Sequence, residues 1–136
     1  MFDKLNYIEL SGEMYPIKCD LCVLEKIQEE YHDLSEFENG IRGFIPNRDE
    51  NGDIIINEEG MMVGSSVTPN IKMLNHALVW MVREGIEIER EENGKEWPDF
   101  TDKELIRKAN LSPKELGAVL NREFNRCFER KNQKTT

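Results

Sequence analysis

One stretch constrains the fold of this chain more than any other. From Ile71 to Val82 the residues Ile71, Leu74, Leu78, Met81 and Val82 recur at helical spacing, and Met73, Ala77 and Trp80 add a second apolar stripe beside them. A helix apolar over so much of its circumference cannot lie on a surface; it has to be the central element, covered on several sides. Its boundaries read as Thr68 for the N-cap, Pro69 as the first helical residue and Gly85 in the left-handed position after the end. Ile86-Glu87-Ile88-Glu89 then alternates as a short strand would.

The rest of the chain has to supply the cover. Tyr7 to Leu10 and Tyr15 to Cys19 alternate around Ser11-Gly12-Glu13, which reads as a β-hairpin with Ile8 and Leu10 on one face and Tyr15, Ile17 and Cys19 on the facing one. Pro16 donates no ladder hydrogen bond, so its nitrogen should face an open edge or a bulge. Asp20 is an N-cap signal for a helix with Leu24, Ile27, Tyr31 and Leu34 inward, and Ser35 with Glu38 signals a short second helix ended by Gly40 and Gly43. Asn51-Gly52 predicts a tight turn pairing Phe44-Ile45 with Ile54-Ile55-Ile56, and Gly60 to Ser66 reads as small and irregular. Asn93-Gly94 and Trp97-Pro98 mark turns. Thr101 with Glu104, and Ser112-Pro113 with Glu115, are capping boxes opening two further helices. The last of these carries Leu116, Val119, Leu120, Phe124, Cys127 and Phe128 on one face. No internal repeat is evident. The expectation is an α+β domain over residues 1–131, with an N-terminal hairpin and a second small hairpin packed on three or four helices, a mostly helical C-terminal half, and a frayed tail at 132–136.

At 136 residues, 38% apolar, the chain is long enough for one core without disulfides or metal. No run reaches the length of about 20 apolar residues that spans a bilayer, and Met1 to Leu10 lacks the basic-then-apolar pattern of a signal peptide. Three cysteines form no even disulfide framework. These features point to a cytoplasmic protein. Charge is unevenly placed. Residues 1–102 hold nine Lys and Arg against twenty-three Asp and Glu, a net of −14, whereas residues 103–136 hold nine against four, a net of +5. An acidic body with a basic tail is either a solvated surface or a device for head-to-tail association.

The chemistry-bearing residues offer no catalytic constellation. Cys19 and Cys22 form a CxxC pair without a second pair or two histidines at zinc spacing, and both fit structural positions. His76 lies within the central helix with no evident polar partner to orient it, and His32 ends an acidic helix. Asp49 to Glu59 departs from a calcium loop in spacing and flanks. Neither metal nor cofactor is expected. Residues 102–131 have the outline of a helix-turn-helix, but Glu115 and Glu123 on the second helix and the acidic body oppose a phosphate backbone, so nucleic acid is not the expected partner.

Three segments together carry a resemblance: Tyr15-Pro16-Ile17-Lys18-Cys19-Asp20 running into Leu24-Glu25-Lys26-Ile27; Leu74-Asn75-His76-Ala77-Leu78-Val79-Trp80-Met81-Val82-Arg83-Glu84-Gly85-Ile86; and Ser112-Pro113-Lys114-Glu115-Leu116 leading to Phe124-Asn125-Arg126-Cys127-Phe128. Over roughly residues 5–130 the chain resembles the tail assembly chaperones of long-tailed phages and of prophages in low-GC Gram-positive bacteria. The resemblance implies a non-enzymatic protein of the host cytoplasm, absent from the mature virion. Such a protein coats the tape measure protein and acts with tail tube subunits. A chain ending soon after its last helix would match the family's short form, and the family has no catalytic residues to carry over. The 44–57 hairpin is longer than the pattern. The other readings are a different small structural or adaptor protein of a phage particle and a helix-turn-helix regulator. Coating a long client needs a self-associating module, hence a homo-oligomer. The candidate protein contacts are Met73, Trp80, Phe124 and Phe128, with Arg122 and Arg126 on the basic helix; the plainer reading of the four apolar ones is that all are core.

Overall fold

The computed structural model describes residues 4–129, so the expected frayed tail at 132–136 lies outside the described residues. The chain runs β1 (Asn6–Leu10), β2 (Glu13–Ile17), α1 (Leu21–Tyr31), α2 (Leu34–Arg42), β3 (Phe44–Pro46), β4 (Gly64–Ser66), α3 (Ile71–Asn93), α4 (Asp102–Lys108) and α5 (Pro113–Arg126). It is an α+β fold with two antiparallel hairpins, β1–β2 and β3–β4, and a helical C-terminal half, with five helices among the described residues where three or four were expected.

The first hairpin closes on Ser11 and Gly12, both at positive φ, the two-residue turn that matches strand twist. Ile8, Leu10, Tyr15, Ile17 and Cys19 are buried as their alternation requires. Pro16 stands opposite Tyr7. Its edge is not open but covered by α3: a Cβ on Gly85 would lie 2.6 Å from the Pro16 carbonyl oxygen, and the Lys18 N–H donates to the Met81 carbonyl at 3.0 Å.

That contact corrects the reading of Gly85. It is not a helix end. It sits inside a 23-residue helix because β2 needs a seat with no side chain there. Ile86 to Glu89 accordingly continue the helix, not a strand. Ile86, Ile88 and Glu89 are all buried, because the last turns of α3 lie between β1–β2 and the 95–100 segment. Tyr15 stacks on Trp97 at 5.4 Å, and the Trp97 indole donates to Glu89 at 2.8 Å. Gly94 takes the left-handed end position instead.

The helix start also moves. Val67 and Asn70 donate their N–H groups to the carbonyls of Gly43 and Gly40 at the end of α2. This ties 67–70 into an extended path, so Asn70, not Thr68, caps α3 by accepting from Met73 N–H at 3.0 Å. Similarly α2 is capped by Asp33, one residue after His32 closes α1 at positive φ, and not by Ser35. Gly43 ends α2, whereas Gly40 lies within it, packed against Met73. Asp20 caps α1, and both later capping boxes are present with both hydrogen bonds each.

One apolar core joins these elements. Phe37, Phe124, Leu10, Ile27, Ile41, Leu74, Leu78, Met81, Leu105 and Leu120 are its largest fully buried side chains. Ile71 is not among them; at the first turn of α3 it is exposed.

The segment 44–66 departs most from expectation. Phe44 and Ile45 pair with Ser66 and Ser65, and not with Ile54 to Ile56. Between them lies an eight-residue repeat. Asp49 Oδ1 accepts from the N–H groups of Asn51 (2.8 Å) and Asp53 (3.0 Å); Asn57 Oδ1 accepts from those of Glu59 (2.9 Å) and Met61 (3.0 Å). Gly52 and Gly60 supply the positive φ in each turn. The bridges Arg48–Ile54 and Ile56–Met62 repeat with the same spacing. Asn47, Ile55 and Val63 close a ring of backbone hydrogen bonds, Asn47 to Val63, Ile55 to Asn47 and Val63 to Ile55, at 2.8 to 3.1 Å. Each turn thus satisfies its own backbone, and the segment forms an arm whose residues 51–60 are all exposed.

Candidate functional site

The titratable groups most removed from water serve the fold. Glu89, 3% exposed, accepts from the Tyr7 hydroxyl and the Trp97 indole and faces Lys95 at 3.9 Å. Glu123, also 3% exposed, accepts from Asn6 Nδ2 (3.1 Å) and the Cys19 N–H (3.2 Å) and pairs with Arg126 at 3.2 Å. Burial pushes its carboxyl up, against the pull of those donors. Both carboxylates fasten the N-terminal hairpin to distant helices.

The cysteines of the CxxC pair diverge. Cys19 is buried against Cys127, and that burial holds its thiol far above the usual range. Cys22 is exposed, grouped with Asp20 and Glu84 so that one ligand atom of each lies within 4.8 Å of the others. Asp20 Oδ1 is already engaged in capping α1. Burial first, then the hydrogen bond to Asp20 and the charges of Asp20, Glu87 and Glu91, push the Glu84 carboxyl up to about 8. The group is two neighbouring carboxyls with a thiol beside them. His76 does have a polar partner: the Tyr31 hydroxyl is 2.6 Å from its Nδ1, and its ring stacks on Trp80 at 4.7 Å.

The expected protein contacts separate. Phe124 is 2% exposed, in contact with Phe37, and belongs to the core. Met73 is half-buried against Gly40. Arg126 is held by Glu123. Phe128 follows the end of α5, 55% exposed, its ring against Phe124. Trp80 and Arg122 face open grooves. Trp80 is the ridge between two adjoining grooves along α3. One runs past Arg83, Ile86 and Phe100, the other past Ile71, His76 and Ile106, and Val79, Trp80 and Asp102 line both. Arg83 rims the first of them, donating to Asp102 and to the Phe100 carbonyl while lying over the Phe100 ring at 4.7 Å.

Arg122 lines a separate groove with Arg42, Phe44, Ser66, Lys114 and Asn121 at the root of the 44–66 arm. The arm itself carries Ile45, Ile54, Ile55, Ile56, Met61 and Met62, each between 36% and 62% exposed. No contact was expected there from sequence. The signal that could have revealed it is the spacing of eight between Asp49-x-x-Gly52 and Asn57-x-x-Gly60, which marks two self-contained turns that leave the isoleucines and methionines outside the core.

No protein-family model, curated protein or solved structure matches the chain.

Proposed function

We propose that the chain is a non-enzymatic phage tail assembly chaperone, which holds an amphipathic helical segment of a tape measure protein and engages tail tube subunits during tail assembly in the host cytoplasm. One observation carries this reading: the paired grooves along α3, divided by Trp80, with Phe100 and Ile106 as half-buried apolar lining over buried Val79 and Ile86, and a rim of both signs from Lys26, Arg83 and Arg90 and from Glu84, Glu87, Asp99 and Asp102. An elongated trough of mixed character, with half-buried Trp80 and Phe100 among charged side chains alongside a rigid helix, suits an amphipathic partner helix. A tryptophan at its middle is the residue type that most often anchors such a contact. The sequence resemblance supplies the client.

Co-expression with the tape measure protein encoded by the same phage or prophage tests the reading. The chain should keep that protein soluble and co-purify with it, while purified virions should lack it. Trp80→Ala should weaken the complex about thirtyfold or more, the scale of an anchoring residue, with the fold intact by circular dichroism. A tape measure protein that stays insoluble and unbound overturns the proposal.

A further inference from the structure

The arm and the groove at its root are complementary in a way the α3 trough does not explain. Across residues 44–66 the arm has five carboxylates, Asp49, Glu50, Asp53, Glu58 and Glu59, against one arginine. That arginine, Arg48, is engaged with the Gly52 carbonyl at 2.9 Å. The arm is therefore acidic as well as apolar. The groove is the converse. Arg42, Lys114 and Arg122 line it with Phe44, Gly43, Ser66, Ala118, Asn121 and Asn125, and among these described lining residues there is no carboxylate. Arg42 lies over the Phe44 ring at 4.9 Å, and Lys114 reaches Ser66 at 2.7 Å, so cation and apolar surface are placed side by side. β3 and β4 pair only with each other among the described residues, which leaves their outer edges without a strand partner.

We propose that the 44–66 arm of one copy docks into the Arg42–Lys114–Arg122 groove of a second copy of this chain. The occupant has to come from another molecule, because Phe44 and Ser66 are both groove lining and the arm's own root, where it leaves the body. Every copy presents both halves, an acidic apolar arm and a basic groove, so the contact joins unlike surfaces of identical chains. Charge steers the arm in, and burial of its isoleucines and methionines holds it. The contact is independent of the α3 trough and leaves that trough open.

The test is association of the full chain followed by sedimentation. Wild type should form species larger than a monomer, weakened about tenfold between 0.1 M and 1 M salt as the screening length falls from about 10 Å to about 3 Å. The arm variant Ile54→Asp/Ile56→Asp and the groove variant Lys114→Glu/Arg122→Glu should each be monomeric with unchanged circular dichroism, since every residue changed is exposed. Mixed together, they should pair and stop at two, because each retains the half the other lacks. Adding Glu58→Lys/Glu59→Lys to the groove variant should restore self-association. A wild type that is monomeric throughout overturns the proposal, as does assembly unaffected by either variant. So does a mixture that fails to pair while both variants stay folded, or a groove that retards duplex DNA with no self-association.

Discussion

Glu89 shows how much of this structure depends on single polar side chains. It is a carboxylate in the core, and it is tolerated there because a phenol, an indole and a lysine all converge on it. Glu89→Ala removes the acceptor of the Trp97 indole and the Tyr7 hydroxyl, the first of them half-buried, and unties β1 from α3, so unfolding in denaturant should show a loss of about 1–3 kcal/mol, more than an ordinary surface change. Glu84 is the opposite case. Its folded value of about 8 lies above its ordinary 4.5. Between those pH values the folded chain holds a proton that the unfolded chain has released, so this site's contribution is fully present below 4.5 and is lost as pH rises through 8. Glu84→Gln should therefore raise the melting temperature at pH 8 and leave it nearly unchanged at pH 5. A variant whose melting curve shifts equally at both would refute the assignment. Asp20, as a cap before an apolar periodic run, was legible in sequence. The N-terminal partners of Glu89, Glu123 and Glu84 were not, because Tyr7, Cys19 and Asp20 lie 82, 104 and 64 residues away respectively, and local spacing carries no information about them.

At the scale of elements, the central helix was identified from its stripes, but its length was not. Ile86-Glu87-Ile88-Glu89 alternates, and alternation is the mark of a strand only when one face is wet. Here Gly85, Ile86, Ile88 and Glu89 are buried while Glu87 and Arg90 are exposed, which is the burial spacing of a helix, so the Ile-Glu alternation does not divide an inner from an outer face. Gly85 misled for a related reason: a glycine reads as a stop until the strand that needs its missing side chain is known. Gly85→Ala states the balance as numbers. Alanine gains about 1 kcal/mol of helix propensity, yet its Cβ would meet the Pro16 carbonyl oxygen at 2.6 Å. Overpacking of that kind costs about 1–3 kcal/mol, so the variant should be less stable than the parent by calorimetry despite the better helix former. The same reasoning applies to the corner at 67–70, where hydrogen bonds to Gly40 and Gly43 override the Thr68-Pro69 start signal.

The whole molecule divides into a body and an arm with different economies. Phe37 illustrates the body: fully buried, packed against Tyr31 and Phe124, it joins α1, α2 and α5. Phe37→Ala should cost about 3–5 kcal/mol, measured by chemical denaturation. The arm satisfies its own backbone and contributes no residue of 47–62 to the core. Replacing residues 47–63 by a two-residue turn should thus leave the melting temperature within a few degrees of the parent, the shift that about 1 kcal/mol produces in a chain of this size, while removing the exposed Ile54, Ile55, Ile56, Met61 and Met62. Collapse of the body on that deletion would show the arm to be part of the fold.

By itself the sequence determined the α+β class, the first hairpin and its inward faces, the capping boxes of α4 and α5, and the central place of α3, because each follows from spacing and cap chemistry within a few residues. The tertiary structure alone decided where α3 ends, that Phe124 is core while Trp80 borders open grooves, and that the isoleucines and methionines of 44–66 stay outside. Those outcomes depend on which surfaces of distant segments meet, and burial is a property of the meeting, not of the residue.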